Sequence, residues 1–476
     1  MTAARLRKVL GAVALAGAAV RLTAFSLQPP LHPDEIFQYL EPAWRHLHGV
    51  GWEAWEYRAG VRSWVLPAYH GAWMVLLSWL GVRSGAAVHA FFRLHWALAS
   101  LLLVWAGWRA GCALARRIGR PWPGGFGARD VPAGWEGGLW AAALVSLWPT
   151  LAYFSPHTLS EIPSMILLAW GYALATEAVE SAPAPGARLA VWSGLALGLG
   201  ACLRVANAPL VLVPLLFLMV ERRSRDALRL AAAMAAPLAL FGLIDRITLG
   251  RFLHSFIAYL DYNLLQGRAV EHGRVARTWY LEQLWARLGS GFAVLLPPAL
   301  LALRSTWPWV LGGTGLLAYL SSQAHQEERF IVLLWPLFLV PAGAATGAWL
   351  AAGGQRRWWI ALFAALVLLA RNLVGTARMP TYDYSNRFGL YAGQAWVGRQ
   401  PDATGVLVDG WIGLSGGYLS TGRSIPTVSF DPRLLENPVF DYVVVKEGSR
   451  ELDLALAAGF SRASSEELFA VLRRGP

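Results

Sequence analysis

Apolar runs long enough to cross a bilayer recur along most of the chain, separated by short polar loops. Backbone polar groups inside lipid are satisfied within a helix, so the pattern predicts about eleven transmembrane helices. The first covers about residues 7 to 27, and later ones cover about 87 to 111, 137 to 154, 228 to 249, 290 to 303, 307 to 323, 331 to 350 and 357 to 374. Three more lie between the turns at Ser155 to Glu161, Ser181 to Arg188, Leu203 to Asn207, and Glu221. After the first span, residues 33 to 48 and 64 to 82 read as interfacial helices, with Ile36, Phe37, Leu40, Trp44 and Leu47 apolar on one side of the first. Beyond Arg378 the pattern changes to short strand-like runs, Val406-Leu407-Val408 and Tyr442 to Val445, with Gly-rich turns at Gly410 to Gly417 and a helical Leu452 to Ala458. The expected organisation is an all-α polytopic domain over residues 1–375, with outer loops at 28–86 and 250–289. A small soluble α/β domain is expected over residues 376–476.

Composition agrees with this class: of 476 residues, 56% are hydrophobic, 15% are charged and 25 are Trp. The net charge of +12 needs no nucleic-acid partner. Basic residues gather in alternate loops, at Arg5, Arg7 and Lys8, at Arg116, Arg117 and Arg120, at Arg222, Arg223 and Arg225, and at Arg356 and Arg357. The positive-inside rule puts these loops and the amino terminus in the cytoplasm, and every polar candidate motif and the C-terminal domain outside. The first apolar run resumes past Arg21, and it reads as an uncleaved span rather than a signal peptide. Cys112 and Cys202 sit in different apolar segments, so no disulfide framework or thiolate metal site is expected.

The chemistry lies in polar patches at outer helix ends. Leu31-His32-Pro33-Asp34-Glu35 puts two adjacent carboxylates just beyond the first span, and two readings stay open: a general base, or an acidic first helical turn after Pro33. Ser155-Pro156-His157-Thr158-Leu159-Ser160-Glu161 is either a second polar patch of a site or a Ser/Pro helix cap. Arg204, at the outer end of two apolar runs, either snorkels or faces a partner or cavity. Tyr262 and Asn263 lie in a long outer loop with Gly267, Gly273 and Thr278-Trp279-Tyr280-Leu281, and fit an interfacial helix as well as a ligand contact. His325-Gln326-Glu327-Glu328-Arg329-Phe330 joins a His to opposed charges, which suits an anion site or an outer turn held by a Glu/Arg pair. No ligand spacing supports a metal, and the C-terminal glycines form no dinucleotide fingerprint, so neither metal nor cofactor is assigned.

Pro33-Asp34-Glu35, Gly51 to Glu56 and Arg62 to Pro67, the Thr158-Leu159-Ser160 stretch, Arg204, Tyr262-Asn263 and His325 to Phe330 occur in the order seen in glycosyltransferase family 22. The chain resembles these dolichyl-phosphate-mannose-dependent α-mannosyltransferases from the first span to about residue 375. Gln326 stands where the family motif has Lys, Glu161 where it often has Asn, and Val205 where it has Pro. The resemblance implies a GT-C fold and inverting transfer of a hexose, mannose by family, from a polyprenyl (dolichyl-type) phosphate to a glycan or glycolipid hydroxyl. It implies Asp34 and Glu35 as catalytic, with Arg329, Glu328, His325, Arg204, His157, Glu161, Tyr262 and Asn263 contacting the donor phosphate or sugar in a shared outer cavity. The competing readings are a transporter or flippase of lipid-linked sugars, a GT-C enzyme using a different sugar, and a non-catalytic partner of a glycan-assembly complex. Transporters place ionisable groups near the midplane on broken helices, whereas here they cluster at one face.

Overall fold

The structure, a computed structural model, describes residues 3–28, 32–119, 134–288, 300–353, 355–377 and 388–475. Among these, seven helices are long and apolar enough to cross a membrane: Ala4–Leu27, Gly85–Ile118, Glu161–Glu180, Pro183–Leu203, Ser224–Thr248, Glu328–Ala351 and Gln355–Ala377. Two of the other expected spans are broken for local reasons. The run near 137 to 154 is two helices, Trp135–Leu147 and Pro149–Phe154, because Trp148 is extended and Pro149 has no N–H to continue the ladder. Asn372 makes good the break, its Oδ1 accepting from the Thr150 backbone N–H at 3.0 Å and the Thr150 hydroxyl at 2.9 Å. The run after Leu203 starts as a 3₁₀ helix, Val205–Val211, which contains Pro209, and continues as Leu212–Val220. The run near 307 to 323 is the helix Leu303–Ser322. The span expected at about 290 to 303 lies mostly outside the described residues.

The chain divides into two compact units, one of Met1–Ala24, Trp96–Pro156 and Ser160–Met379, the other of Phe25–His95, His157–Leu159 and Pro380–Pro476. The first unit is a helical bundle closed by small residues. A Cβ on Gly347 would come within 2.2 Å of the Gly137 backbone N, so the helices Leu334–Ala351 and Trp135–Leu147 touch backbone to backbone. Arg21, in the first span, is fully buried there. Its guanidinium donates to Ser100 Oγ at 2.6 Å and to the Ser146 carbonyl at 2.7 Å, which accounts for a charge in an apolar run.

The second unit contains the expected α/β element. Strands β1 (Val406–Val408), β2 (Thr427–Ser429), β3 (Tyr442–Lys446), β4 (Phe460–Glu466) and β5 (Phe469–Arg474) form one sheet in the order β2-β1-β3-β5-β4. β1 runs parallel to β2 and β3, and β5 pairs antiparallel with β3 and β4. Alternation splits the side chains between two faces. Val406, Val408, Val444 and Val471 pack with Leu390 and Val397 of the helix Phe388–Gly398. Leu407, Val443, Val445 and Leu472 pack with Leu452 and Ala455 of Arg450–Ala457. The same unit holds a third apolar cluster, in which Ile36, Phe37, Leu40, Ala43 and Trp44 meet Met74, Leu77, Val88, Phe92, Tyr391 and Leu419. The apolar stripe expected on residues 33 to 48 is therefore buried in protein, apart from the exposed Leu47.

Candidate active site

In the second unit the two carboxylates open a helix, as the sequence led us to expect, but its first turns are wide. Residues Glu35–Leu40 form a π-helical stretch that continues as the α-helix Glu41–His48. Asp34 sits at the helix start without a capping hydrogen bond from its side chain, so the cap reading of Asp34 has no bond to rest on. The local reach-back comes from Glu35, whose Oε1 accepts the His32 backbone N–H at 3.0 Å. π-Helical turns cost regular hydrogen bonding and recur where a side chain must be re-aimed.

Glu35 is fully buried and its oxygens are occupied. Oε1 lies 3.0 Å from His157 Nδ1, and Oε2 accepts the Thr158 N–H at 3.1 Å. Thr158 Oγ1 donates in return to the Glu35 carbonyl at 3.1 Å, and His157 Nε2 faces Gln28 Oε1 at 3.2 Å. Burial alone would raise the Glu35 carboxyl, yet the contact with His157, with His89 and Arg93 nearby, pulls it down to about 2. Glu35 is thus a fixed anion. Asp34 differs in being one-fifth exposed, with His32 Nδ1 at 3.5 Å. That Nδ1 accepts the Asp34 N–H at 3.1 Å.

Beside this pair the segment from Ala54 to Arg62 supplies a second polar layer. Gln38 Nε2 donates to Glu56 at 2.5 Å, the Tyr57 hydroxyl donates to the Gln38 carbonyl at 2.5 Å, and Arg62 donates to the Tyr39 hydroxyl at 3.1 Å. Burial raises the Glu56 carboxyl, against the opposing charge of Arg62, while Asp34 adds to the rise. Gln38 Oε1 is buried without a hydrogen-bond partner among the described residues.

In the first unit a second charged group forms around Glu161, which is 2% exposed in the first turn of Glu161–Glu180. Arg204 reaches Glu161 Oε1 at 2.9 Å, and Arg329 Nε lies 3.6 Å from the same atom. The helix Pro183–Leu203 ends at Arg204, whose extended backbone turns the chain toward the 3₁₀ helix. Arg329 makes its fork with Glu327, Nε to Oε2 at 2.6 Å and Nη2 to Oε1 at 3.1 Å. His325 Nε2 lies 2.8 Å from Glu327 Oε1. Both guanidinium groups flank the Phe330 ring, Arg204 at 4.6 Å and Arg329 at 5.1 Å from its centre. Nε of Arg204 is buried and has no hydrogen-bond partner among the described residues.

Other expected site residues have different partners. Glu328 pairs with Arg287, because the 3₁₀ helix Glu328–Ile331 starts after an extended Glu327 and turns Glu328 that way. Tyr262 and Asn263 belong to another group: Tyr262 donates to Glu271 at 3.4 Å under Arg268, and Asn263 donates to the Tyr259 carbonyl at 3.0 Å. Glu327 was legible only as part of its motif, and Arg287, His89 and Arg93 were not singled out from the sequence. His89 and Arg93 carry a legible signal, four residues apart on one face of an apolar helix. Among the described residues no group of three or more His, Cys, Asp or Glu side chains is arranged to hold a metal ion.

Seven long apolar helices and a small five-stranded sheet near the C-terminus fit the class of polytopic membrane proteins of the GT-C type. The solved structures it resembles have this fold. ArnT from Cupriavidus metallidurans, bound to undecaprenyl phosphate, superimposes with a TM-score of 0.60 at 14% identity, over 100% of both chains. An oligosaccharyltransferase from Archaeoglobus fulgidus gives 0.51 at 11% identity, over 94% of this chain and 69% of that one. Within this class the chain belongs to the Alg9-like mannosyltransferase family, whose model matches residues 13–384. It is also similar to GPI mannosyltransferase 3 of Yarrowia lipolytica (strain CLIB 122 / E 150), 26% identical over 317 residues. That match takes in 66% of this chain and 58% of the yeast protein, so the chain spans a little over half the length of that relative.

Proposed function

We propose that the protein transfers a hexose, mannose by family, from a polyprenyl phosphate to a hydroxyl of a glycan or glycolipid, on the extracytoplasmic side of the membrane and with inversion at the anomeric carbon. Family membership supports the mannosyl reading, and the undecaprenyl phosphate bound to the structurally similar ArnT supports a polyprenyl-phosphate donor. The observation that supports the mechanism is the different surroundings of the two adjacent carboxylates. Glu35 has its oxygens committed to His32, His157 and Thr158, whereas Asp34 is one-fifth exposed.

Asp34 is the general base. The acceptor oxygen attacks the anomeric carbon as its proton passes to Asp34, the bond from that carbon to the phosphate oxygen breaks, and the polyprenyl phosphate leaves with the electron pair. Glu35 holds the start of its helix and the His157 loop, which set the direction of Asp34. The leaving phosphate gains negative charge as the bond breaks, so Arg329 and Arg204 stabilise the transition state more than the ground state. Glu161 and Glu327 fix the two arginines, and His325 steadies Glu327. Tyr262, Asn263 and Glu328 act at more distance, shaping the loop after Thr248 and holding Arg287.

The test is transfer of radiolabelled mannose from polyprenyl-phosphate-mannose to an extracted glycolipid acceptor by the purified full-length chain. Labelled acceptor, abolished by Asp34→Asn, is the expected result. Donor that only crosses the bilayer of a vesicle, with no product, would replace this reading with that of a flippase.

A further inference from the structure

A carboxylate six residues beyond Glu35 has no part in the proposed chemistry, yet it is buried among backbone donors from two distant stretches of the chain. Glu41, at the junction of the π-helical stretch and the α-helix Glu41–His48, is fully buried. Its side chain accepts three backbone N–H groups: Oε1 from Trp52 at 3.0 Å and Tyr418 at 3.0 Å, and Oε2 from Leu419 at 3.1 Å. Tyr418 and Leu419 lie in the five-residue helix Gly417–Thr421, between β1 and β2 of the sheet. One acid therefore joins the carboxylate-bearing helix to segments that are near and far in sequence.

We propose that Glu41 is a positioning residue that locks the C-terminal sheet domain onto the helix carrying Asp34 and Glu35, so that the segment 417–419 sets the aim of those carboxylates. The inference rests on the reading of Asp34 as general base. The apolar cluster of Ile36, Phe37, Leu40 and Leu419 holds the same elements together, but apolar burial is non-directional and tolerates small slides and rotations. Three hydrogen bonds to one side chain do not, because each donor direction is fixed by the backbone. Gly417 is fitted to this contact. Its φ of +60° is in the region that favours glycine, and a Cβ there would stand 2.6 Å from Glu41 Oε2.

Glu41→Gln separates alignment from bulk. The side chain keeps its size, but the amide nitrogen must face the Leu419 N–H or the Trp52 and Tyr418 pair, donor against donor. At matched expression and thermal stability, kcat for mannose transfer falls about tenfold to a hundredfold, the range for a small misplacement of reacting groups, while KM for the polyprenyl-phosphate-mannose donor stays within about twofold. A kcat within twofold of the parent overturns the proposal, as does a loss confined to KM. Amide hydrogen exchange on the unmodified full-length chain gives a measurement that needs neither activity nor a folded variant. The amides of Trp52, Tyr418 and Leu419 should be protected together, to the level of those in Glu41–His48. Rapid exchange at Tyr418 and Leu419 overturns the lock. If the parent protein transfers no mannose while these amides are protected, it is the functional reading that fails.

Discussion

Asp34 and Glu35 are neighbours with the same functional group, and their surroundings divide them. Asp34→Asn keeps the volume and removes the proton acceptor, so single-turnover mannose transfer is expected to drop by about two to four orders of magnitude with little change in thermal stability. Activity retained at matched stability removes Asp34 as base. Glu35 carries a pH signature. Its folded-state value is depressed from 4.5 to about 2, so its contribution to stability is present above about pH 4.5 and is lost as the pH falls through about 2. Glu41 has the opposite sign. Burial raises it to about 7, against the three N–H donors, so its contribution is present below about 4.5 and is lost as the pH rises through about 7. Thermal melts in detergent should therefore show an acid-side loss that Glu35→Gln abolishes and a loss toward neutrality that Glu41→Gln abolishes. Melting curves whose pH dependence is unaltered by either change would contradict both assignments.

At the scale of elements, the turn from His325 to Ile331 shows how a short irregular segment presents charge. Arg329 binds both oxygens of Glu327 at once, a geometry only a planar guanidinium can make. Arg329→Lys keeps the charge and loses the fork. The expected result is a fall of about ten- to hundredfold in kcat/KM for the phosphate donor, the worth of one strong charged hydrogen bond, in protein that still inserts and folds. Unchanged kinetics would take Arg329 out of the site. The motif His-x-x-Glu-Arg-Phe was visible in the chain, but its partners were not. Which of Glu327 and Glu328 meets Arg329 depends on where the 3₁₀ turn begins, and an extended residue 327 followed by a tight turn sends the two carboxylates in different directions. Likewise the break at Trp148-Pro149 was hidden in a continuously apolar run, because hydropathy does not register a missing N–H.

For the whole molecule, the alternation of basic loops predicts an orientation. Single cysteines replacing the exposed Ala59, Arg274 and Ala463, in a background without Cys112 and Cys202, should react with a membrane-impermeant thiol reagent in intact cells. A cysteine at the exposed Ala352 should react only after the membrane is opened. The reverse pattern would place the carboxylates and the sheet domain in the cytoplasm and remove the extracytoplasmic reading. Lipid-facing apolar side chains need no further partner, and many large ones are exposed along Ser224–Thr248 and Gln355–Ala377.

What the sequence determined by itself is whatever depends on composition and short-range order. Long apolar runs require helices in lipid, short valine-rich runs become β1 and β3, and Pro33 with two acids begins a helix. The polar residues of the candidate site stood out because ionisable groups at the ends of apolar runs are costly unless they serve a purpose. Tertiary structure decided the pairings. Glu35 finds His157, more than a hundred residues away, and Glu41 finds Tyr418 and Leu419, nearly four hundred away. Glu161 finds both Arg204 and Arg329. No spacing along the chain encodes such contacts, since a carboxylate takes whichever donors the packed helices bring within about 3 Å, and that choice follows from the fold as a whole.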